Sequence, residues 1–365
     1  MNSTVLIEAI GISNDSGLGR VSKLIIDALK PVLKDKKVVI ITRKGDKLEL
    51  PDNWKQVEMR AKPFRFWIHF IFPMVLLRFL PAKVICLGQT IPRFHPKSLF
   101  YLLVCDAGPL ENLYLQTSKF DDYNKNRLPR IIERADKILT ISEFSKSRIE
   151  TLTGKPAQKI EAFRPINKVH IQESYRKEEL TPAIKQIIQA PYILTVGNIE
   201  PRKNHATLLL AYHLLISKID NPPKLVIAGH RAWGYQEVHE YMELFNMHDL
   251  IEITGYITEA EITALYKNCM FYVSTSLYEG WGFPLFEAIS LGCPSIYHKE
   301  TSQHEFAEGV AHGIDCSLAR NLMLAMKKMY KSKEERKKWI ELIETNFPEV
   351  LNYDLSGRLK EIIRE

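Results

Sequence analysis

The sequence predicts an α/β protein built as two doubly wound parallel-sheet domains in tandem. Three observations carry this: a length of 365 residues, an alternation of apolar β-type runs with helix-period segments in each half, and a polar stretch separating the halves. At one to two hundred residues per domain the length suggests two domains, and 45% hydrophobic with 25% charged content is ordinary globular material.

The first alternation runs through Thr4–Ile10, a helix from Val21, Val38–Thr42, Val84–Leu87, Leu99–Val104 and Lys137–Ile141. Val21, Leu24, Ile25, Ala28 and Leu29 fall at offsets 0, 3, 4, 7 and 8, so all five share one helix face, which packs on the sheet. From about Val169 to Gln189 the chain turns polar and charged and reads as an interdomain connection. The second alternation takes in Tyr192–Val196, a helix through Leu208–Leu215, Leu225–Ala228, Ile251–Ile253, a helix through Ile262–Tyr266, Phe271–Val273, another helix and Ser295–Tyr297. Boundaries are expected at 1–170 and 171–349, with 350–365 packing back on the first domain. Open α/β sheets bind ligands at the carboxyl ends of their strands, so the cleft between the domains is the default site.

The net charge of +7 favours anionic partners: nucleotide sugars, nucleic acid or an anionic membrane surface. Nucleic acid would want aromatic platforms interleaved with a basic stripe, which the sequence lacks. The five cysteines are odd in number and scattered, with neither metal-knuckle nor disulfide spacing, and fit a reducing cytoplasm. The start shows no basic n-region or cleavage site ahead of Val5-Leu6-Ile7, which argues against a secretory signal. Phe64 to Leu80 is strongly apolar, but Arg65, His69, Pro73 and Arg78 leave an uncharged core too short to span a bilayer. Two readings of it stay open: a buried helix pair or a wall of the first domain, and an interfacial segment touching a membrane.

The strongest chemical signal runs from Ser276 to Glu287. It passes from a strand end through Gly280 and Gly282 into a helix opened by Pro284 and ended by Gly292. Amides around Leu285 and Phe286 at that helix start suit a diphosphate, and the small glycines let the backbone approach it. Glu279 and Glu287 are acceptors suited to paired hydroxyls, one set on the sugar and one on the ribose. The second signal is Val196-Gly197-Asn198-Ile199-Glu200-Pro201-Arg202-Lys203-Asn204, after a strand and before a helix. Arg202 and Lys203 beside a diphosphate would neutralise the charge that builds on a leaving group, in place of a metal. Asp15-Ser16-Gly17-Leu18-Gly19-Arg20 forms a glycine loop between the first strand and its helix. A dinucleotide fingerprint would want a third glycine where Ser22 stands, so a nicotinamide reading loses ground.

These segments together resemble the retaining family 4 glycosyltransferases, of the GT-B fold with two Rossmann-like domains facing a cleft, and within them a mannosyltransferase-like branch. The 279–287 segment is similar to the family's E-x7-E signature, with Trp281 where Phe is commoner, and 196–204 to its V-G-x-x-x-x-R-K-N run. The resemblance implies that Glu279 contacts the transferred sugar, Glu287 the ribose, and Arg202 and Lys203 the diphosphate. Donor contacts from Gly197, Gly280, Gly282 and Phe283 follow from the same motifs. It implies that backbone groups at Gly255, Tyr256 and Ile257 read the nucleobase, and that the Gly17–Gly19 loop faces the donor phosphate or the acceptor. Where relatives show His-Asp, this chain has Cys105-Asp106, which leaves Asp106 as the candidate for binding or deprotonating the acceptor hydroxyl. Ala135–Ser145 resembles another family run, in which Ser142 caps a helix. Near Glu305 the usual proline is replaced by His304.

The function implied is transfer of a hexose, with mannose from GDP-mannose favoured, to a hydroxyl of a glycan or lipid-linked oligosaccharide in bacterial surface-polysaccharide assembly. Retention would follow from front-face displacement. No cofactor and no metal are expected, the nucleotide diphosphate sugar being a co-substrate. Two other readings remain open: a sugar-nucleotide epimerase on the same architecture, and a non-catalytic nucleotide-sugar-binding module.

Overall fold

The computed structural model describes residues 4–12, 17–60, 66–111, 118–166 and 174–364, with the side chains of 118–125 excepted. The chain forms two compact units, one gathering 4–111, 118–166 and 353–364, the other 174–352.

The first unit holds seven parallel strands: β1 (Val5–Glu8), β2 (Val38–Arg43), β3 (Trp54–Met59), β4 (Lys83–Cys86), β5 (Leu99–Leu103), β6 (Lys137–Thr140) and β7 (Ile160–Ala162). Their spatial order is β3-β2-β1-β4-β5-β6-β7. Central strands such as β1 and β2 are apolar on both faces because helices cover both sides of the sheet. The helix Gly17–Val32 buries Val21, Leu24, Ile25, Ala28 and Leu29, the five residues that its periodicity places on one face. Ser142 caps the helix Glu143–Thr153 by accepting from the Ser145 amide (3.0 Å), and Gly154 closes it in the left-handed region. The last helix, Leu355–Arg364, packs on Gly17–Val32 and buries Leu359 and Ile362. Its Arg358 reaches the Glu161 carboxylate (2.8 Å) and the Ala162 carbonyl (3.2 Å).

Strand order reverses between β1 and β4. There the buried Glu8 carboxylate accepts from the amides of Ile10 (3.1 Å) and Gly88 (2.9 Å) and from the Thr90 hydroxyl (3.3 Å). Burial raises its pKa, and these donors pull back. A Cβ on residue 88 would sit 2.7 Å from a Glu8 oxygen, so this closure depends on Gly88.

The second unit holds six parallel strands: β8 (Tyr192–Val196), β9 (Lys224–Ala228), β10 (Ile251–Ile253), β11 (Phe271–Ser274), β12 (Ser295–His298) and β13 (His312–Ile314). Their order is β10-β9-β8-β11-β12-β13. Its core joins Ile193, Leu225, Ile227 and Val273 of the sheet to Leu208 and Tyr212 of the helix His205–Ile216 and Leu322 and Met326 of the helix Ala319–Lys331.

Three strands lay outside the sequence reading, namely β3, β7 and β13. Each is an edge strand paired on one side, and β3 is largely polar (WKQVEM, with Trp54 alone buried), so none presents the apolar run that marks a central strand. The tail of the polar stretch is also ordered: the helix Pro182–Ile187 docks through Leu180 and Ile184, and the Thr181 amide donates to Glu261 (3.1 Å). Within Phe64–Leu80 the described residues form one helical segment, a π turn over Trp67–Ile71 running into an α-helix over Phe72–Phe79, rather than a pair. Trp67, Phe72, Val75 and Leu76 enter the core and the opposite face does not. Among the described residues no helix is long and apolar enough to cross a membrane.

Candidate functional site

The second unit reverses strand order between β8 and β11, and both principal motifs leave the sheet there, at the carboxyl ends of those strands. From β8 the chain passes Gly197 (φ +141) into a 3-10 turn over Pro201–Lys203, then Asn204 in the left-handed region, then the helix His205–Ile216. From β11 it passes Thr275–Trp281 to Gly282 (φ +91) and the helix Phe283–Ser290. The two loops are bound to one another: the Leu277 amide donates to the Arg202 carbonyl (2.8 Å) and the Thr275 hydroxyl to the Lys203 carbonyl (2.7 Å).

Backbone ties of this kind bring three charged side chains together. Lys203 Nζ lies 2.5 Å from Glu279 Oε1, and Arg202 Nη1 lies 3.2 Å from Glu279 Oε2. Arg202 Nε is held in turn by Glu200 Oε2 at 2.9 Å. Burial alone would raise the Glu279 pKa, but Lys203, Arg202 and a hydrogen bond from Ser276 outweigh it and bring the carboxyl down to about 2. Burial lowers the Lys203 ammonium below its ordinary value; Glu279 opposes that and Arg202 adds to it. Gly197 is needed at its position for two reasons: its φ, and the packing of the Lys203 side chain, whose Cε a Cβ on Gly197 would meet at 3.0 Å.

Ser302 donates to the Glu279 carbonyl (2.7 Å), and Gln303 fills the space against Gly282, where a Cβ would meet its side chain at 2.6 Å. Neither residue was singled out in the sequence, because both act from a loop twenty or more residues downstream of the motif they support. Glu287 accepts from the Tyr266 hydroxyl at 3.3 Å. The Tyr272 phenol is pushed well above its ordinary range by burial first, then by the carboxylates of Glu279 and Glu287, so both acidic groups of the E-x7-E pair lie within electrostatic reach of one ring.

The helix start differs from expectation in one respect. Phe283 is its first residue, and the Phe286 amide is already closed within it, donating to the Gly282 carbonyl at 3.1 Å. The Phe286 amide is thus engaged within the helix, and its ring is buried against Trp281 (6.0 Å), Phe306 (5.4 Å) and Phe347 (5.4 Å). Leu285 lies one residue nearer the open end of the helix, where backbone amides have no intrahelical partner. Trp281 is buried and its indole N–H has no hydrogen-bond partner. Trp281→Phe removes an unsatisfied donor that costs about 1–3 kcal/mol and leaves a small void of opposite sign. The expected net change, read from a thermal melt, is within about 1.5 kcal/mol, well below an ordinary large-to-small change in a core.

Gly255 (φ +70), Tyr256 and Ile257 follow β10 in the same unit. Tyr256 is exposed and stacks on His230, which follows β9, with ring centroids 5.7 Å apart. In the first unit, Gly17 opens its helix on the surface, Gly19 is buried, and Asp15 and Ser16 lie outside the described residues. Asp106 follows β5 and accepts from the Gly108 amide at 2.8 Å. Its neighbour Cys105 has a thiol pushed up by burial and by Asp106. Among the described residues one group of metal-ligating type converges, His239, Glu243 and His248 at the helix Tyr235–Leu244, and it shares no member with the site above.

Residues 177–344 match the family model described as Glycosyl transferases group 1. O-antigen chain mannosyltransferase B of Escherichia coli is 32% identical over 186 residues, which are 50% of this chain and 48% of that protein. The chain thus spans about half the length of that curated relative. In structure the chain is similar to sucrose-phosphate synthase from Thermosynechococcus elongatus, with a TM-score of 0.73, 16% identity and coverage of 99% and 98% of the two chains. It is similar also to Anabaena HepE, solved in complex with UDP and glucose, with a TM-score of 0.72, 13% identity and the same coverage. At such identities the structural likeness bears on the fold, which is GT-B. The segment that matches the glycosyl transferases group 1 model contains both loops of the switch point, with Arg202, Lys203, Glu279 and Glu287.

Proposed function

We propose that the chain is a retaining, metal-independent hexosyltransferase of glycosyltransferase family 4, using a nucleotide diphosphate sugar. The observation that carries this reading is the Lys203–Glu279–Arg202 cluster at the strand switch point, two cations and a deeply ionised carboxylate held together beside a helix start. Arg202 and Lys203 take the diphosphate, with the Leu285 amide at its other side; Glu279 accepts from the sugar hydroxyls and Glu287 from the ribose. Gly255, Tyr256 and Ile257 meet the nucleobase. The name of the mannosyltransferase relative favours mannose, and the UDP and glucose of the HepE complex accord with a nucleoside diphosphate donor.

In the reaction the acceptor hydroxyl oxygen bonds to the anomeric carbon on the face from which the diphosphate departs. The carbon–oxygen bond to phosphate breaks, its electron pair leaves with the diphosphate, and the hydroxyl proton passes to a departing phosphate oxygen. Arg202 and Lys203 stabilise that developing charge, which is why no divalent ion is called for. Asp106 binds the acceptor hydroxyl. The acceptor is a glycan or lipid-linked oligosaccharide of a surface polysaccharide.

The test is turnover of GDP-mannose, UDP-glucose and dTDP-rhamnose in EDTA, with and without a lipid-linked oligosaccharide, and NMR of the product's anomeric centre. Transfer that needs acceptor, survives EDTA and retains configuration is expected. An inverted product, dependence on a divalent ion, or donor epimerised without acceptor would each overturn the proposal.

A further inference from the structure

The helical segment through Trp67–Phe79 is apolar on both sides, though a single-domain core needs only one. Its inner side places Trp67, Ile68, Phe72, Val75 and Leu76 in the core of the first unit. Its outer side carries Phe66, Phe70, Met74, Leu77 and Leu80, which are 52 to 70% exposed. The spacing 66, 70, 74, 77 is one helical stripe. The π turn over 67–71 holds one extra residue, which keeps Trp67 and Ile68 inward with Phe72 while Phe66 and Phe70 stay in line with Met74. Leu80 ends the segment in the left-handed region (φ 40), where glycine is the usual occupant, and carries a large exposed apolar side chain instead. A stripe of this size is far from the scattered single apolar residues of an ordinary surface.

Charge says what covers it. From Met59 to Cys105 the sequence contains seven Lys or Arg and not one Asp or Glu, in a chain where the two classes otherwise nearly balance at 50 and 43. Arg78 and His69 are exposed on the segment itself, between and beside the apolar side chains. Apolar side chains edged by cations, with acids excluded over 47 residues, match a layer of anionic headgroups above hydrocarbon. A segment of this length, about 20 Å, lies along such a layer and does not cross it.

We propose that this face of the first unit, Phe66, Phe70, Met74, Leu77 and Leu80 with Arg78, is a docking surface for an anionic lipid bilayer. The apolar side chains enter the acyl boundary and the cations pair with headgroup phosphates. Taken with the transferase reading, on which only this consequence rests, docking would hold the enzyme where lipid-linked acceptors are found.

The experiment is co-sedimentation of the full chain with vesicles of equal parts phosphatidylcholine and phosphatidylglycerol, and with vesicles of phosphatidylcholine alone. Wild-type protein is expected to pellet with the mixed vesicles and much less with the neutral ones. Phe70→Ser/Met74→Ser/Leu77→Ser should lower binding by about tenfold or more, and Arg78→Glu by about fivefold, a difference that high salt removes. The altered side chains are exposed, so an unchanged melting temperature and unchanged nucleotide binding by the second unit establish that the variants are folded. Undiminished pelleting of a folded triple variant would overturn the proposal. So would a lipid-free dimer of the wild type that the triple variant reduces to monomer, since the face would then belong to a second copy. Vesicle binding does not depend on sugar transfer, so failure here and failure of the transferase reading are separately visible.

Discussion

Lys203→Ala is expected to lower kcat by about 10²–10³-fold, the loss that follows removal of one pre-positioned donor from a developing negative charge. Lys203 is the more buried of the two cations, held by Glu279 on one side and by its packing over Gly197 on the other. A charge fixed in that way needs no reorganisation as the diphosphate departs, and its removal is not made good by solvent. Arg202→Ala should cost less, because Arg202 is more exposed and shared between Glu200 and Glu279. Single-turnover kinetics check this directly: equal losses for both variants would mean that burial does not rank the two cations.

The largest expected effect on stability is at Glu279. Glu279→Ala leaves Lys203 buried with its carboxylate removed and takes one carboxylate from Arg202, and breaking a buried ion pair from one side costs about 3–5 kcal/mol. For a unit of this size that lowers the melting temperature on the order of 10 °C. Glu279→Gln keeps the shape and an acceptor oxygen and should lose less stability while still losing turnover. The sign of the pH dependence follows from the lowered folded pKa. Glu279 titrates near 2 in the folded chain against 4.5 as its ordinary value, so its contribution is complete above 4.5 and disappears as pH falls from 4.5 through 2. Melting curves of wild type and Glu279→Gln should therefore converge over that interval. A constant gap down to pH 2 would mean that the carboxylate is not held by its cations.

The positions of both motifs were legible in the sequence, because glycine and proline mark where the backbone must turn. Gly197 and Gly282 do take the left-handed conformations that such turns demand, and Pro284 lies in the first turn of its helix. What was not legible was which charges meet. The Lys203–Glu279 pair spans 76 positions, and no local pattern discloses that the side chains expected to hold a diphosphate also hold each other's partner carboxylate. Ser302 and Gln303 were hidden for the same reason. That the Phe286 amide closes within the helix was not legible either, because the helix opens at Phe283, a boundary that depends on the Gly282 conformation rather than on Pro284 alone. Edge strands β3, β7 and β13 escaped because their pairing on one side relaxes the demand for apolar residues.

The central claim is that Arg202 and Lys203 bind the diphosphate of the donor, and titration calorimetry in EDTA tests it most directly. GDP, UDP and dTDP would each be titrated beside the corresponding monophosphate, into wild type and into Arg202→Ala/Lys203→Ala. One diphosphate should bind wild type at least about tenfold more tightly than its monophosphate, and the folded double variant should lose that preference while keeping its affinity for the monophosphate. A diphosphate preference that survives in the folded double variant would contradict the account.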